Sequence, residues 1–286
     1  MSRLRKWLSG GLLIADGAWG TELQARGLAS GTAPDIWNLT CPERVEAVAR
    51  SYVEAGSQII LTNTFRANSV AMEGDLEAIN RAGVAISKRA ADGHALVFAS
   101  IGPTGKMLMA GEISKEQAHA AFAAQAAALA TAGADALLVE TMSEIEEARL
   151  AVDAATRTGL PVIASFAFDS GKNKDRTMMG ATPEAVAAAM VDAGADAVGA
   201  NCGVGMGYVA PICRRLRTAC DLPIWIKPNA GLPKMEGPVI RYDTSPEFFA
   251  SHYAALRDAG ASFLGGCCGS TPDFIRALVS ARCASS

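Results

Sequence analysis

The chain has 286 residues, 26 of them Lys or Arg and 29 Asp or Glu, for a formal net charge of −3. That balance argues against a nucleic-acid binder, which carries a basic excess, and with 50% hydrophobic against 19% charged residues the chain is not intrinsically disordered. Seven cysteines are too few for a disulfide scaffold, and no apolar run suits a signal peptide or a membrane span, so a cytoplasmic protein with free or metal-bound thiols and no membrane partner is expected.

Short apolar runs rich in β-branched residues fall at 12–15, 58–62, 96–100, 136–140, 161–166, 197–200, 224–227 and 262–265. Between them lie helix-start signals. Ser114 and Gln117 have capping-box spacing. Thr182-Pro183-Glu184, Ser245-Pro246-Glu247 and Thr271-Pro272-Asp273 each offer a hydroxyl cap, a proline in the first turn and an acid behind it. The uncharged stretch 117–134 is dominated by alanine and reads as a packed helix. Strand–helix alternation repeated eight times predicts an α/β fold, the (β/α)8 TIM barrel. No Pro/Gly/Ser-rich linker divides the chain, so residues 1–286 are expected to form one domain.

An Ala-Gly pair precedes every second strand: Ala55-Gly56, Ala132-Gly133, Ala193-Gly194 and Ala259-Gly260. Seven residues beyond these glycines lie Asn63, Glu140, Asn201 and Cys267; eight beyond lie Thr64, Thr141, Cys202 and Cys268. These are equivalent positions at the C-terminal ends of the even strands, the face on which barrel enzymes place their chemistry.

Cys202, Cys267 and Cys268 are the strongest signal among them. Three thiolates converging at a barrel mouth can hold Zn2+ with bonds of about 2.3 Å and leave a fourth position open. Small buried thiols are the alternative, but adjacent cysteines between glycines are poor core filler. Cys41, Cys213, Cys220 and Cys283, and the histidines His94, His119 and His252, carry no such pattern. Asp16 ends strand one ahead of a glycine-rich turn, and Glu140 ends strand four. Each can hold an ammonium, with the turn's N–H groups on a carboxylate, or serve as an ordinary turn and capping residue. Lys227 ends strand seven and is the candidate lysine for a metal-free isomerase or aldolase. Pro228 follows it, however, and no phosphate loop accompanies strand eight.

The motifs Asp16-Gly17-Ala18-Trp19-Gly20-Thr21, Thr62-Asn63-Thr64-Phe65, Asn201-Cys202-Gly203 and Gly265-Gly266-Cys267-Cys268-Gly269 occur in one order along nearly the whole chain. In this the sequence resembles the homocysteine S-methyltransferase family, which includes the homocysteine-binding module of cobalamin-dependent methionine synthase and betaine–homocysteine methyltransferase. The resemblance implies zinc-dependent methyl transfer to the thiol of L-homocysteine, giving methionine. It implies Cys202, Cys267 and Cys268 as the zinc ligands and Asp16 and Glu140 as holders of the amino group. The Gly17 and Ala18 N–H groups would take the carboxylate, and Asn229 would approach the metal when substrate is absent. The eight βα units are expected to use up the chain, leaving no room for the betaine enzyme's C-terminal arm or the folate and cobalamin modules of methionine synthase. The methyl donor is therefore expected on a separate corrinoid protein, with betaine or S-methylmethionine as alternatives. Gly269 resembles the methionine synthase pattern more than the Arg of S-methylmethionine-using relatives. Long loops at 16–42 and 228–245 are expected to shape a docking rim or a lid.

Overall fold

The computed structural model describes residues 3–232, 234–236 and 239–284. Its eight barrel strands are β1 (Leu13–Ile14), β2 (Ile59–Leu61), β3 (Leu96–Ile101), β4 (Ala136–Met142), β5 (Val162–Phe166), β6 (Ala197–Gly205), β7 (Ile224–Asn229) and β8 (Ala261–Leu264). They alternate with helices in the predicted order and pair in parallel, each with its sequence neighbour. β8 pairs with β1 through Phe263↔Leu13 and Leu264↔Ile14. The Ala15↔Ile59 bridge joins β1 to β2 and closes the (β/α)8 barrel.

Closure sends alternate side chains of each strand inward and outward. Leu13, Ile59, Phe98, Leu138, Ile163, Trp225 and Phe263 pack against one another inside the barrel. Their neighbours Val97, Leu137, Val162, Ile224 and Leu264 pack in the outer core that includes the helices. The inner layer is aromatic: the Trp225 ring lies 5.3 Å from Phe263 and 5.9 Å from Phe98. The N-terminal helix Arg3–Trp7 packs on this layer, burying Leu4 and bringing Trp7 within 5.6 Å of Phe98. Two residues further along, the inward positions turn polar: Ser100 after Phe98, Glu140 after Leu138, Ser165 after Ile163 and Lys227 after Trp225. All four are buried. The barrel thus has an apolar floor and a polar layer beneath its C-terminal mouth.

Three of the predicted caps make their bonds. Ser114 and Gln117 form a reciprocal capping box, Thr182 accepts from the Ala185 N–H and Ser245 from the Phe248 N–H. Stretch 117–134 lies mostly in the helix Lys115–Thr131. Among the described residues no helix is long and apolar enough to cross a membrane.

Two features differ from the sequence expectation. β4, β6 and β7 run past their expected ends at 140, 200 and 227. In β4 and β6 the ladder shifts, between Val139 and Met142 and between Cys202 and Gly205, and then resumes. The loops are also more ordered than expected. Loop 16–42 holds the helices Gly20–Ala25 and Trp37–Thr40 and the 3-10 turn Pro34–Ile36. Loop 228–245, of which positions 233, 237 and 238 lie outside the described residues, holds an antiparallel hairpin of Lys234–Glu236 with Val239–Arg241. Elements of three to six residues are too short to show a period.

Candidate metal centre

The two ladder irregularities place the side chains of the site. Thr141 and Cys202, neither of them glycine, have φ of 62° and 57°. Such backbone costs roughly 1–3 kcal/mol at each residue and gathers where a side chain must be re-aimed. Cys267 and Cys268 lie just past β8, where strand alternation no longer applies. The turn that carries them is stitched to the end of β7: Cys267 N donates to Pro228 O at 2.8 Å and Ala230 N to Cys268 O at 2.9 Å. Gly269 follows at φ 81°, and a side chain there would run into the Tyr242 ring.

The three thiols therefore converge. Their Sγ atoms all lie within 4.8 Å of one another, and Cys202 and Cys268 are 3.7 Å apart. Tetrahedral coordination with bonds of about 2.3 Å separates the ligands by about 3.8 Å, so the residues fit a zinc-sized ion. The electrostatics agree. Hydrogen bonds from Cys202, then Cys267, push the Cys268 thiol down to about 3 against the effect of burial, and the Tyr242 hydroxyl adds to them. The Cys202 thiol is raised by its hydrogen bonds with Cys267 and Cys268 and by burial. Cys267 is lowered by its bond with Cys202, but Cys268 and burial outweigh this and push it up to about 12. One negative charge is thus stabilised and three are resisted, which is the condition a dication relieves. The other cysteines and the histidines do not join the cluster. Cys213 faces the Ala259 carbonyl, His119 pairs with Asp153 at 2.8 Å and His252 faces the Phe248 carbonyl.

A cavity of about 350 Å3 runs from the cysteines to Glu140, Lys227 and the Gly17-Ala18 turn. Glu140 is 7% exposed. It accepts from Ser100 Oγ at 2.5 Å and from Asn201 Nδ2 at 3.2 Å. Asn201 is held in turn by Ser165 Oγ at 2.7 Å and Thr141 N at 2.9 Å. Burial pushes the Glu140 carboxyl up to about 7, with the Lys227 charge opposing.

Asp16 departs from expectation. It is 0% exposed and does not line the cavity. One carboxylate oxygen pairs with Lys227 Nζ, and the other accepts from Leu61 N and Trp19 Nε1, each at 2.7 Å. Its partner is thus a cation that sits 211 residues away in sequence. The same ion pair occupies the lysine that an aldolase reading requires as a free amine. The Ala18 N–H donates to Ser270 O at 3.0 Å. Gly17 does line the cavity, and its backbone passes so close to Ser270 O and the Tyr52 hydroxyl that a Cβ would sit 2.7 Å from each. Asn229 donates from Nδ2 to Gly203 O at 3.1 Å, and its buried Oδ1 has no partner among the described residues.

Sequence reasoning missed Ser100 and Tyr242, and it missed the role of Lys227. Counting from the Ala-Gly pairs reaches only the even strands. Stepping two residues beyond each inward apolar residue of the odd strands would have found Ser100 and Lys227. Tyr242 comes from a rim loop with no such register.

Residues 13–282 match the family described as homocysteine S-methyltransferase. The chain is 32% identical over 301 residues to a methionine synthase of Mycobacterium tuberculosis, the match covering 96% of this chain and 25% of that protein. A methionine synthase of Mycobacterium leprae is 31% identical, with 95% and 24% covered. The chain thus spans about a quarter of the length of these curated relatives. Among solved structures, the homocysteine methyltransferase MmuM from Escherichia coli superposes with a TM-score of 0.81 in its metallated form, at 24% identity, covering 98% of this chain and 99% of that one. Its oxidized form gives 0.80 at 25% identity, with the same coverage.

Proposed function

Because the chain belongs to the homocysteine S-methyltransferase family, we propose that it transfers a methyl group to the sulfur of L-homocysteine, giving methionine. The observation that carries this reading is the three-thiol cluster at one end of a cavity whose other walls hold Glu140 and Lys227. Cys202, Cys267 and Cys268 would hold zinc, and Asn229, whose Oδ1 has no partner among the described residues, is the side chain we assign to approach it when no acceptor is bound. The chemistry supplied by zinc bound there is deprotonation of the acceptor thiol, which at its ordinary pKa is mostly protonated at neutral pH.

The chain's own residues do the positioning. Glu140 takes the acceptor's ammonium, oriented by Ser100 and Asn201. Sub-ångström placement of the sulfur opposite the methyl group matters because displacement needs an in-line approach. In the reaction the sulfur lone pair forms the new S–C bond as the donor's bond to the methyl breaks, and that electron pair leaves with the donor.

We assign the donor to a separate corrinoid protein that docks over the mouth of the barrel. With the zinc-loaded enzyme and homocysteine, a methylated corrinoid protein is expected to give methionine at least about 100-fold faster than free methylcobalamin, because docking replaces random encounter with a held geometry. Saturable turnover with betaine or S-methylmethionine alone, unchanged by the corrinoid protein, would assign a small-molecule donor instead. No methionine from any of the four donors would sink the acceptor reading itself.

A further inference from the structure

Resting on the acceptor reading above, we propose that Asn201 is a positioning residue that couples the metal centre to the ammonium end of the acceptor site. Filling the three-cysteine site then strengthens the hold of Glu140 on an amino acid. Asn201 stands one residue before Cys202 in β6 and is buried. Its carboxamide reaches across β5 to β4. Thr141 N and Ser165 Oγ donate to Oδ1 at 2.9 and 2.7 Å. Nδ2 donates to Thr141 Oγ1 at 2.7 Å and to Glu140 Oε2 at 3.2 Å. A primary amide has two acceptor lone pairs and two N–H donors. All four are used.

The same network joins the two strained residues. Thr141 follows Glu140 and Cys202 follows Asn201, and both have left-handed backbone at a shift in their ladders. Such backbone persists in a non-glycine residue only where the surroundings over-determine it. Thr141 is pinned by two bonds to the Asn201 side chain. The Cys202 sulfur meets the other two thiols, which are weak hydrogen-bonding groups. An ion shared by all three sulfurs is a far firmer anchor.

The consequence follows from the covalent link. Relaxation of Cys202 toward extended backbone turns the peptide that it shares with Asn201, and the carboxamide moves with it. Glu140 then loses its Nδ2 donor, and Thr141 behind it loses both of its anchors. Ser100 still holds the other carboxylate oxygen, so the acid stays in the cavity but is less well aimed. A metal on Cys202 blocks this relaxation. No thiol on the ligand is needed for the effect.

The test therefore uses L-norvaline, which has a methyl group where homocysteine has its sulfhydryl and so cannot ligate the metal. Its affinity is measured by NMR titration of zinc-loaded and zinc-free protein, both kept reduced with a phosphine. Zinc is expected to tighten norvaline at least about fivefold in the parent, the lower end of coupling between sites. By linkage, saturating norvaline should tighten zinc by the same factor, read by competition with a chelator. Asn201→Asp keeps acceptors for Thr141 and Ser165 but has no N–H for Glu140, and the factor should fall below about twofold. Ser165→Ala removes one bond to Asn201 and should at least halve the factor; it decides alone if Asn201→Asp does not fold. Ser100→Ala should weaken norvaline in both states and leave the factor as it is. Norvaline affinity that ignores zinc in the parent overturns the coupling while the acceptor reading stands, as does homocysteine binding without measurable norvaline binding. A factor that survives in both Asn201→Asp and Ser165→Ala, or is lost equally in Ser100→Ala, removes Asn201 from the role. A parent that binds neither amino acid overturns both readings.

Discussion

Cys267→Ala is expected to lose most of the bound zinc and to lower methyl transfer by on the order of a thousandfold. The parent protein, purified without added metal, should carry about one zinc per chain. Removing one of three thiols leaves two ligands, and a free acceptor thiol at neutral pH is only about 3% thiolate. That alone costs about 30-fold in nucleophile, and a misplacement of about 1 Å costs up to about 100-fold more. The variant should still fold, because the bonds that stitch this turn use the Cys267 backbone: its N–H on Pro228 O, and its carbonyl accepting from Ser270 N and Oγ. Elemental analysis after gel filtration checks the prediction. Full zinc retention by this variant would remove Cys267 from the site.

Glu140→Gln is expected to lower kcat/KM for homocysteine by roughly 10- to 150-fold, the range for a hydrogen bond to a charged group, and to abolish its dependence on pH in the acid range. In the parent, burial pushes the Glu140 carboxyl up to about 7. Only the ionised acid compensates an ammonium, so kcat/KM should fall about tenfold per unit as the pH drops below about 7. Glutamine has no such transition. Stability carries the opposite sign. The folded-state value is raised above the ordinary 4.5, so the contribution is complete below about 4.5 and is lost as the pH rises through about 7. The zinc-free parent should therefore melt progressively lower over that interval while Glu140→Gln does not follow it. An acid limb that survives in the glutamine variant would show that another group controls it.

The barrel was legible because its signals are local and repeated. Every expected strand has a counterpart, and the caps at Ser114, Thr182 and Ser245 make the bonds their residue types allow. The cysteine cluster was legible for the same reason. The Ala-Gly register places Cys202 and Cys267-Cys268 at equivalent strand ends, and a closed barrel brings strand ends together. The acid side of the pocket was less so. Asp16 and Glu140 are both acids at strand ends and look alike in sequence, yet one is locked to Lys227 and the other faces the cavity.

From the sequence alone follow the period of the strands, the starts of the helices and the convergence of three thiols, all set by spacing along the chain and by the chemistry of single residue types. Only the tertiary structure decided which charges neutralise each other. Asp16 and Lys227 meet because β8 brings the ends of β1 and β7 to either side of itself, so that Lys227, two residues beyond Trp225 of the packed floor, reaches the carboxylate just past the end of β1. Pairing of this kind depends on distance through space in a low-dielectric interior, a quantity that spacing along the chain does not contain.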